Sequence, residues 1–163
     1  MSEPFSIERL HADSPHLPTV TAWTFAMWGH LHPGQTFEQA LDETRGECGA
    51  RGVPSLFVAL EHGEPVGTAS LIAEDMPHRP ELSPWLASVF VVPSRRGRQI
   101  ASQLVRRVEQ EARANAIERL YLYTPDQQAL YQRLGWQPVA RDQCRGEDVT
   151  IMSRTFDRHG DAQ

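Results

Sequence analysis

Apolar residues in this chain change their spacing several times, and each change marks an element. Phe5 and Ile7 alternate with Ser6 and Glu8, the two-residue period of a half-buried strand over residues 5–10. A loop with two prolines follows over 11–18. Val20, Trp23, Phe25 and Met27 then recur at helical spacing over 19–28. Pro33-Gly34 is a turn signal. Thr36 can cap a second helix reaching residue 48, with Phe37, Ala40, Leu41 and Thr44 on its inner side and Gly49 and Gly52 ending it. Residues 55–60 and 65–72 read as strands around Glu61-His62-Gly63-Glu64, a hairpin pattern. Residues 73–84 form a loop with three prolines and the acids Glu74, Asp75 and Glu81.

The densest signal lies over 85–112. Trp85 opens a mostly apolar, β-favouring run to Val92. Pro93 stops it, because proline has no N–H for a sheet ladder. A basic turn, Arg95-Arg96-Gly97-Arg98, leads into an amphipathic helix with Ile100, Leu104, Val108 and Ala112 on one face. Strand, glycine-containing turn and helix together form a phosphate-binding arrangement: the first N–H groups of a helix have no intrahelical partner and carry partial positive charge. Three arginines beside that start add charge and forked donors. Downstream, 119–124 is a strand. Asp126 can cap a helix over 127–134 that closes at Gly135. Residues 136–142 and 148–155 are final strands joined by a polar loop, and 156–163 read as a loose tail. The order of elements predicts a mixed α/β layer protein.

Two stretches carry a family resemblance. Val91-Val92-Pro93-Ser94-Arg95-Arg96-Gly97-Arg98-Gln99-Ile100-Ala101 resembles the acetyl-CoA signature of the GCN5-related N-acetyltransferase (GNAT) family, which reads Gln/Arg, any, any, Gly, any, Gly/Ala after a strand ending in Val-x-Pro. Arg96 stands at the first position and Ala101 at the last; Gln99 stands where the family usually has glycine. Ala129-Leu130-Tyr131-Gln132-Arg133-Leu134-Gly135-Trp136 is similar to the family's late motif. The resemblance covers about residues 5–155. It implies a single N-acetyltransferase domain over 1–163, built on a mostly antiparallel twisted sheet of about six or seven strands with helices on both faces.

The resemblance also implies roles. Acetyl-CoA would be the acyl donor. Its pantetheine arm would lie beside Val89, Phe90 and Val91, and its diphosphate on backbone N–H groups of Arg96, Gly97, Arg98, Gln99, Ile100 and Ala101. Tyr131 would be the proton donor to the leaving thiolate; the competing reading makes it a core-facing aromatic. Many relatives carry a glutamate on the fourth strand as general base. Residues 85–92 contain no carboxylate or histidine, and Ser88 is their only polar side chain. The base is therefore sought in Glu74, Asp75, His78 or Glu81, directly or through water. Trp28, His30 and His32 lie where the resemblance implies that acceptor choice is set. The expected reaction is direct attack by a primary amine of a small molecule or protein in a ternary complex. A CoA-binding regulatory or interaction module without transfer chemistry is the alternative, favoured by Gln99 and the missing strand carboxylate.

Composition narrows this further. A chain of 163 residues can bury a proper core. The net charge of −5 argues against nucleic acid as partner. No apolar run is long enough to span a bilayer, and no signal-peptide pattern opens the chain, so a cytoplasmic protein is expected. Cys48 and Cys144 form neither a disulfide framework nor a metal pair, and His30 with His32 makes too thin a ligand set, so no metal is expected. Arg106 and Arg107 read as a solvated helix face. The oligomeric state is left open, a homodimer included.

Overall fold

In the computed structural model, which describes residues 5–156, seven strands form one mixed sheet with four α-helices around it. The strands are β1 (Phe5–Arg9), β2 (Ser55–Glu61), β3 (Glu64–Ile72), β4 (Trp85–Val91), β5 (Arg119–Thr124), β6 (Gln137–Cys144) and β7 (Glu147–Thr155). The helices are α1 (Leu17–Trp28), α2 (Phe37–Gly46), α3 (Ile100–Ala114) and α4 (Gln128–Arg133). Spatial order is β1-β2-β3-β4-β5-β7-β6, and every neighbouring pair is antiparallel except β4 and β5.

Alternation along the strands assigns the faces. Phe57, Ala59, Leu120, Leu122 and Met152 point to one side and pack with Ile100, Leu104, Val108 and Ala112 of α3 and with Tyr131 and Trp136. Leu56 and Val58 point to the other side, against Leu17 and Val20 of α1. Tyr121, Tyr123 and Ile151 share that second side with Trp85 and Met76. The second face therefore carries two separate apolar clusters, one under α1–α2 and one under the loop over 73–84.

Several local expectations are corrected. Helix α1 starts two residues early, at Leu17, because Pro18 suits the first turn, where its missing N–H costs nothing. Thr36 caps α2 through a reciprocal capping box with Gln39, but the helix stops at Gly46 and Phe37 is 37% exposed rather than on the buried side. Asp126 does not cap α4. The Thr124 hydroxyl accepts from the N–H groups of Asp126 and Gln127 instead. The polar loop between the last strands is a two-residue turn at Arg145-Gly146. Phe156 is no loose tail: its N–H donates to the Glu118 carbonyl at 2.9 Å and its ring is buried against the core, because two guanidinium groups, of Arg113 and Arg154, stack on it. The rest of the expected tail, 157–163, lies outside the described residues.

Arg107 is also not simply solvated. It stacks 4.3 Å over the Phe57 ring and pairs with Glu111 at 3.1 Å. Buried Glu111 further accepts from Arg9 at 2.8 Å and from the Gly52 N–H at 2.7 Å, tying β1, α3 and the segment before β2 together. Burial alone would raise the Glu111 pKa, but the Gly52 N–H and Arg9 outweigh it and hold the carboxyl below its ordinary range.

Candidate active site

The sheet parts between β4 and β5. The two strands are parallel, yet they pair through one residue pair only, Trp85 with Tyr121. The Tyr121 N–H also donates to the Pro84 carbonyl at 3.1 Å. On its other edge β4 carries a bulge: Thr68 pairs with Phe90 and Ser70 with Ala87, so Ser88 and Val89 both stand opposite Ala69. Ser88 takes φ +56°, a left-handed conformation that marks the extra residue. Ser88, Val89 and Phe90 are half-buried along the widening gap, whereas Val91 is buried in the core. An apolar acyl chain could run there between two strands, with backbone donors beside it.

The turn after β4 prepares an anion site. Pro93–Arg95 forms a 3-10 turn. The Arg96 N–H donates to the Pro93 carbonyl, which removes it from the expected set of anion donors. The N–H groups of Gly97, Gln99, Ile100 and Ala101 donate to no other described residue. No side chain caps α3, and its first turn holds no acid. Gln99, at the N-cap, has φ +67° and Gly97 has φ +81°. The left-handed region explains the family's glycine at this position: a residue without Cβ enters it freely, whereas glutamine is strained there. Ile100 is buried in the core and contributes only backbone.

The arginine side chains do not converge on that site. Arg96 folds back, its Nε donating to the Val91 carbonyl at 2.9 Å and its guanidinium lying 5.7 Å from the Phe90 ring. Phe90 in turn stacks on Trp23 of α1, with centroids 5.4 Å apart. Arg95 and Arg98 both pair with Glu61 at the end of β2. Of the three arginines expected to add charge and forked donors beside the helix start, Arg95 and Arg98 thus turn toward a buried carboxylate on β2.

Tyr131 is buried on α4 and meets Trp136 edge-on, with centroids 6.2 Å apart. Its hydroxyl has no hydrogen-bond partner among the described residues, and burial pushes its pKa up to about 12. Tyr131 is thus a core aromatic whose hydroxyl is unspent among the described residues.

The four base candidates separate. Glu74 is exposed. His78 and Glu81 are exposed and engaged: His78 Nε2 lies 3.0 Å from Asp142 Oδ2, and Glu81 lies 3.9 Å from Arg79. Asp75 is half-buried and makes no hydrogen bond or ion pair among the described residues. Burial pushes its pKa up to about 7, partly offset by Arg145. Beside it stand two residues that the sequence did not flag. Glu47, just past α2, is raised to about 7 by burial and then by the Asp75 charge. Tyr123 of β5 is raised by burial and by Asp75, with Arg145 at 3.5 Å from its hydroxyl. Nothing local signals either one, since they meet Asp75 only through the packing of α2, the 73–84 loop and β5. Trp28 is half-buried, His30 and His32 are exposed, and no residue of this trio is tied to the Asp75 group by a hydrogen bond. Cys48 is pushed up to about 11 by burial and by Glu47, so it is a poor nucleophile at neutral pH. Among the described residues no helix is long and apolar enough to cross a membrane.

The site is thus an α/β sheet parted between two parallel strands, with an open helix start beside the gap. The sequence matches the acetyltransferase (GNAT) family over residues 17–136, and the chain belongs to that family. No curated protein matches it. Among solved structures, an aminoglycoside 6'-acetyltransferase type Ii is similar at 20% identity and TM-score 0.72, covering 94% of this chain and 99% of that one. An aminoglycoside 6'-N-acetyltransferase complexed with coenzyme A is similar at 18% identity and TM-score 0.71, covering 94% and 98%. A Salmonella typhimurium protein described as an acetyltransferase, with its cofactor acetyl-CoA, is similar at 19% identity and TM-score 0.71, covering 96% of each chain.

Proposed function

We propose that this enzyme moves the acetyl group of acetyl-CoA to a primary amine by direct attack in a ternary complex. The observation that carries the reading is the gap between β4 and β5, closed only at Trp85–Tyr121, running beside the uncapped start of α3. The donor backbone of Gly97, Gln99, Ile100 and Ala101 suits a diphosphate, and the bulged strand at Ser88–Phe90 suits a thioester arm. Solved relatives of the same fold that hold coenzyme A or acetyl-CoA support this.

An alkyl ammonium must lose a proton before it attacks, and reaching its free base at pH 7 costs roughly 4.6 kcal/mol. Asp75, with a pKa of about 7, is matched to accept that proton directly or through water. The amine nitrogen then bonds to the thioester carbonyl carbon while the carbon–sulfur bond breaks and the second amine proton leaves to solvent. Backbone N–H groups of the β4 bulge face the carbonyl oxygen as it gains charge. Tyr131 hydrogen-bonds the departing thiolate. Full proton transfer from a hydroxyl at about 12 to a thiolate of ordinary basicity would be uphill by about 5 kcal/mol, so Tyr131 stabilises the thiolate and solvent supplies the proton. The half-buried carboxylates of Glu47 and Asp75 favour an acceptor that arrives as a cation. The rival reading, a binding module without chemistry, leaned on Gln99 and on the missing strand carboxylate; for the second, Asp75 offers a replacement from the neighbouring loop.

The test is a thermal-melt titration with acetyl-CoA, coenzyme A and ATP, followed by thiol release across an amine panel. Both coenzyme A species should shift the melt and ATP should not. Tyr131→Phe should cut turnover at least about tenfold with acetyl-CoA affinity nearly unchanged, a floor below the roughly hundredfold or more that one donor aimed at a developing charge can supply. Unchanged turnover removes Tyr131 from the mechanism.

A further inference from the structure

The turn between β4 and α3 puts three guanidinium groups within four residues, Arg95, Arg96 and Arg98, on a backbone that is left-handed at Gly97 and Gln99. Such a turn does not hold its shape unaided: like charges repel, and a glutamine in the left-handed region is strained. Glu61 opposes both effects. It ends β2, separated from β4 by β3, and its side chain is 4% exposed. One carboxylate oxygen pairs with Arg95 Nε and the other with Arg98 Nη2 at 2.8 Å. A carboxylate this deep is costly unless fully engaged, so the pairing fixes where both arginines, and the chain between them, must lie.

We propose that Glu61 is a positioning residue for the cosubstrate: by anchoring Arg95 and Arg98 it holds the N–H groups of Gly97, Gln99, Ile100 and Ala101 in the arrangement that receives a diphosphate. This rests on the acetyl-CoA reading above. Two opposite consequences of losing the carboxylate can be separated. Net positive charge near the anion would rise, which alone tightens binding. The turn would also lose its anchor, and apparent affinity falls in proportion to the fraction of molecules still competent. The two arginines face Glu61, so the second effect is the larger one.

The variants are Glu61→Gln, Arg98→Gln and their combination, assayed with acetyl-CoA and with S-acetyl-N-acetylcysteamine, a thioester without diphosphate. Glu61→Gln should raise the KM for acetyl-CoA about five- to twentyfold and leave kcat within about twofold. Its parameters for the short thioester should stay within about twofold. Arg98→Gln should show the same selective loss, and the double variant should be no more than about twofold worse than the worse single one, as expected for one shared interaction. Equal losses on both thioesters, multiplying losses in the double variant, or tighter acetyl-CoA binding in Glu61→Gln would each overturn the proposal. Should Glu61→Gln not fold, amide exchange over 95–101 in ligand-free Arg98→Gln decides: faster exchange than in the unaltered protein supports it, and unchanged exchange overturns it. Failure of the unaltered protein to bind acetyl-CoA would instead sink the cosubstrate reading, and this proposal with it.

Discussion

Gln99→Gly isolates the strain at the start of α3. A left-handed backbone costs a residue with a Cβ roughly 1–2 kcal/mol. Glycine escapes that cost but brings about 0.5–1 kcal/mol of extra freedom in the unfolded chain. The difference leaves Gln99→Gly about 0.5–1 kcal/mol more stable, worth a rise in Tm of about 1–4 °C for a chain of this size. Gln99→Ala separates backbone from side chain. Alanine keeps the Cβ and the φ of +67°, and the glutamine side chain makes no capping bond, so Gln99→Ala should stay within about 0.5 kcal/mol of the original. Melts of the three proteins, with and without acetyl-CoA, give the answer. If the N–H groups alone receive the diphosphate, all three bind it within about twofold. A glycine variant no more stable than the alanine variant would refute the strain argument. A shared loss of affinity in both would show that the glutamine amide itself reaches a phosphate.

Asp75→Asn should remove the rise in kcat/KM through pH 7 that the free carboxylate supplies as it ionises, read from a pH–rate profile over pH 5.5–9. Stability runs the opposite way. Burial holds Glu47 and Asp75 at about 7, above their unfolded values, so from about pH 4 to 7 the folded chain binds more protons and melts should weaken as pH rises; Asp75→Asn should flatten that slope. Glu111→Ala strips the charged partner from Arg9, whose side chain is 15% exposed, and should cost about 3–5 kcal/mol in denaturant unfolding. Gly67→Ala puts a Cβ 3.0 Å from the Phe90 carbonyl oxygen and 3.0 Å from Leu104, and should cost about 1–3 kcal/mol while displacing the strand beside the gap.

Much of this molecule could be read before any coordinates. The α3 stripe of Ile100, Leu104, Val108 and Ala112 is wholly buried, and β5 has the expected bounds, because both follow from spacing within one element. The Ser55–Ile72 hairpin was legible for the same reason, its turn being the pair His62-Gly63 at positive φ. What sequence could not show depends on long-range meetings. Glu61 looked like a turn residue, yet it neutralises arginines far along the chain. Glu47 falls inside the expected second helix with nothing to single it out, yet the Asp75 charge acts on it once α2 and the 73–84 loop come together. The bulge at Ser88 has no glycine to announce it; only the register against Thr68 and Ser70 reveals it.

That Trp85 and Tyr121 form the single ladder pair between β4 and β5 has a mechanical meaning. A ladder normally shares load over many rungs, but here the strands β1–β4 and the strands β5–β7 are stitched across their seam by one rung, with α3 spanning it from above. Each half keeps its own antiparallel pairing, so the seam is where the sheet opens at least cost and where local opening should begin. A ligand lying in that seam would act as the missing rungs. Its affinity would then appear twice in one experiment, as occupancy of the site and as slowed amide exchange along β4 and β5, with the far edges at β1 and β6 unaffected.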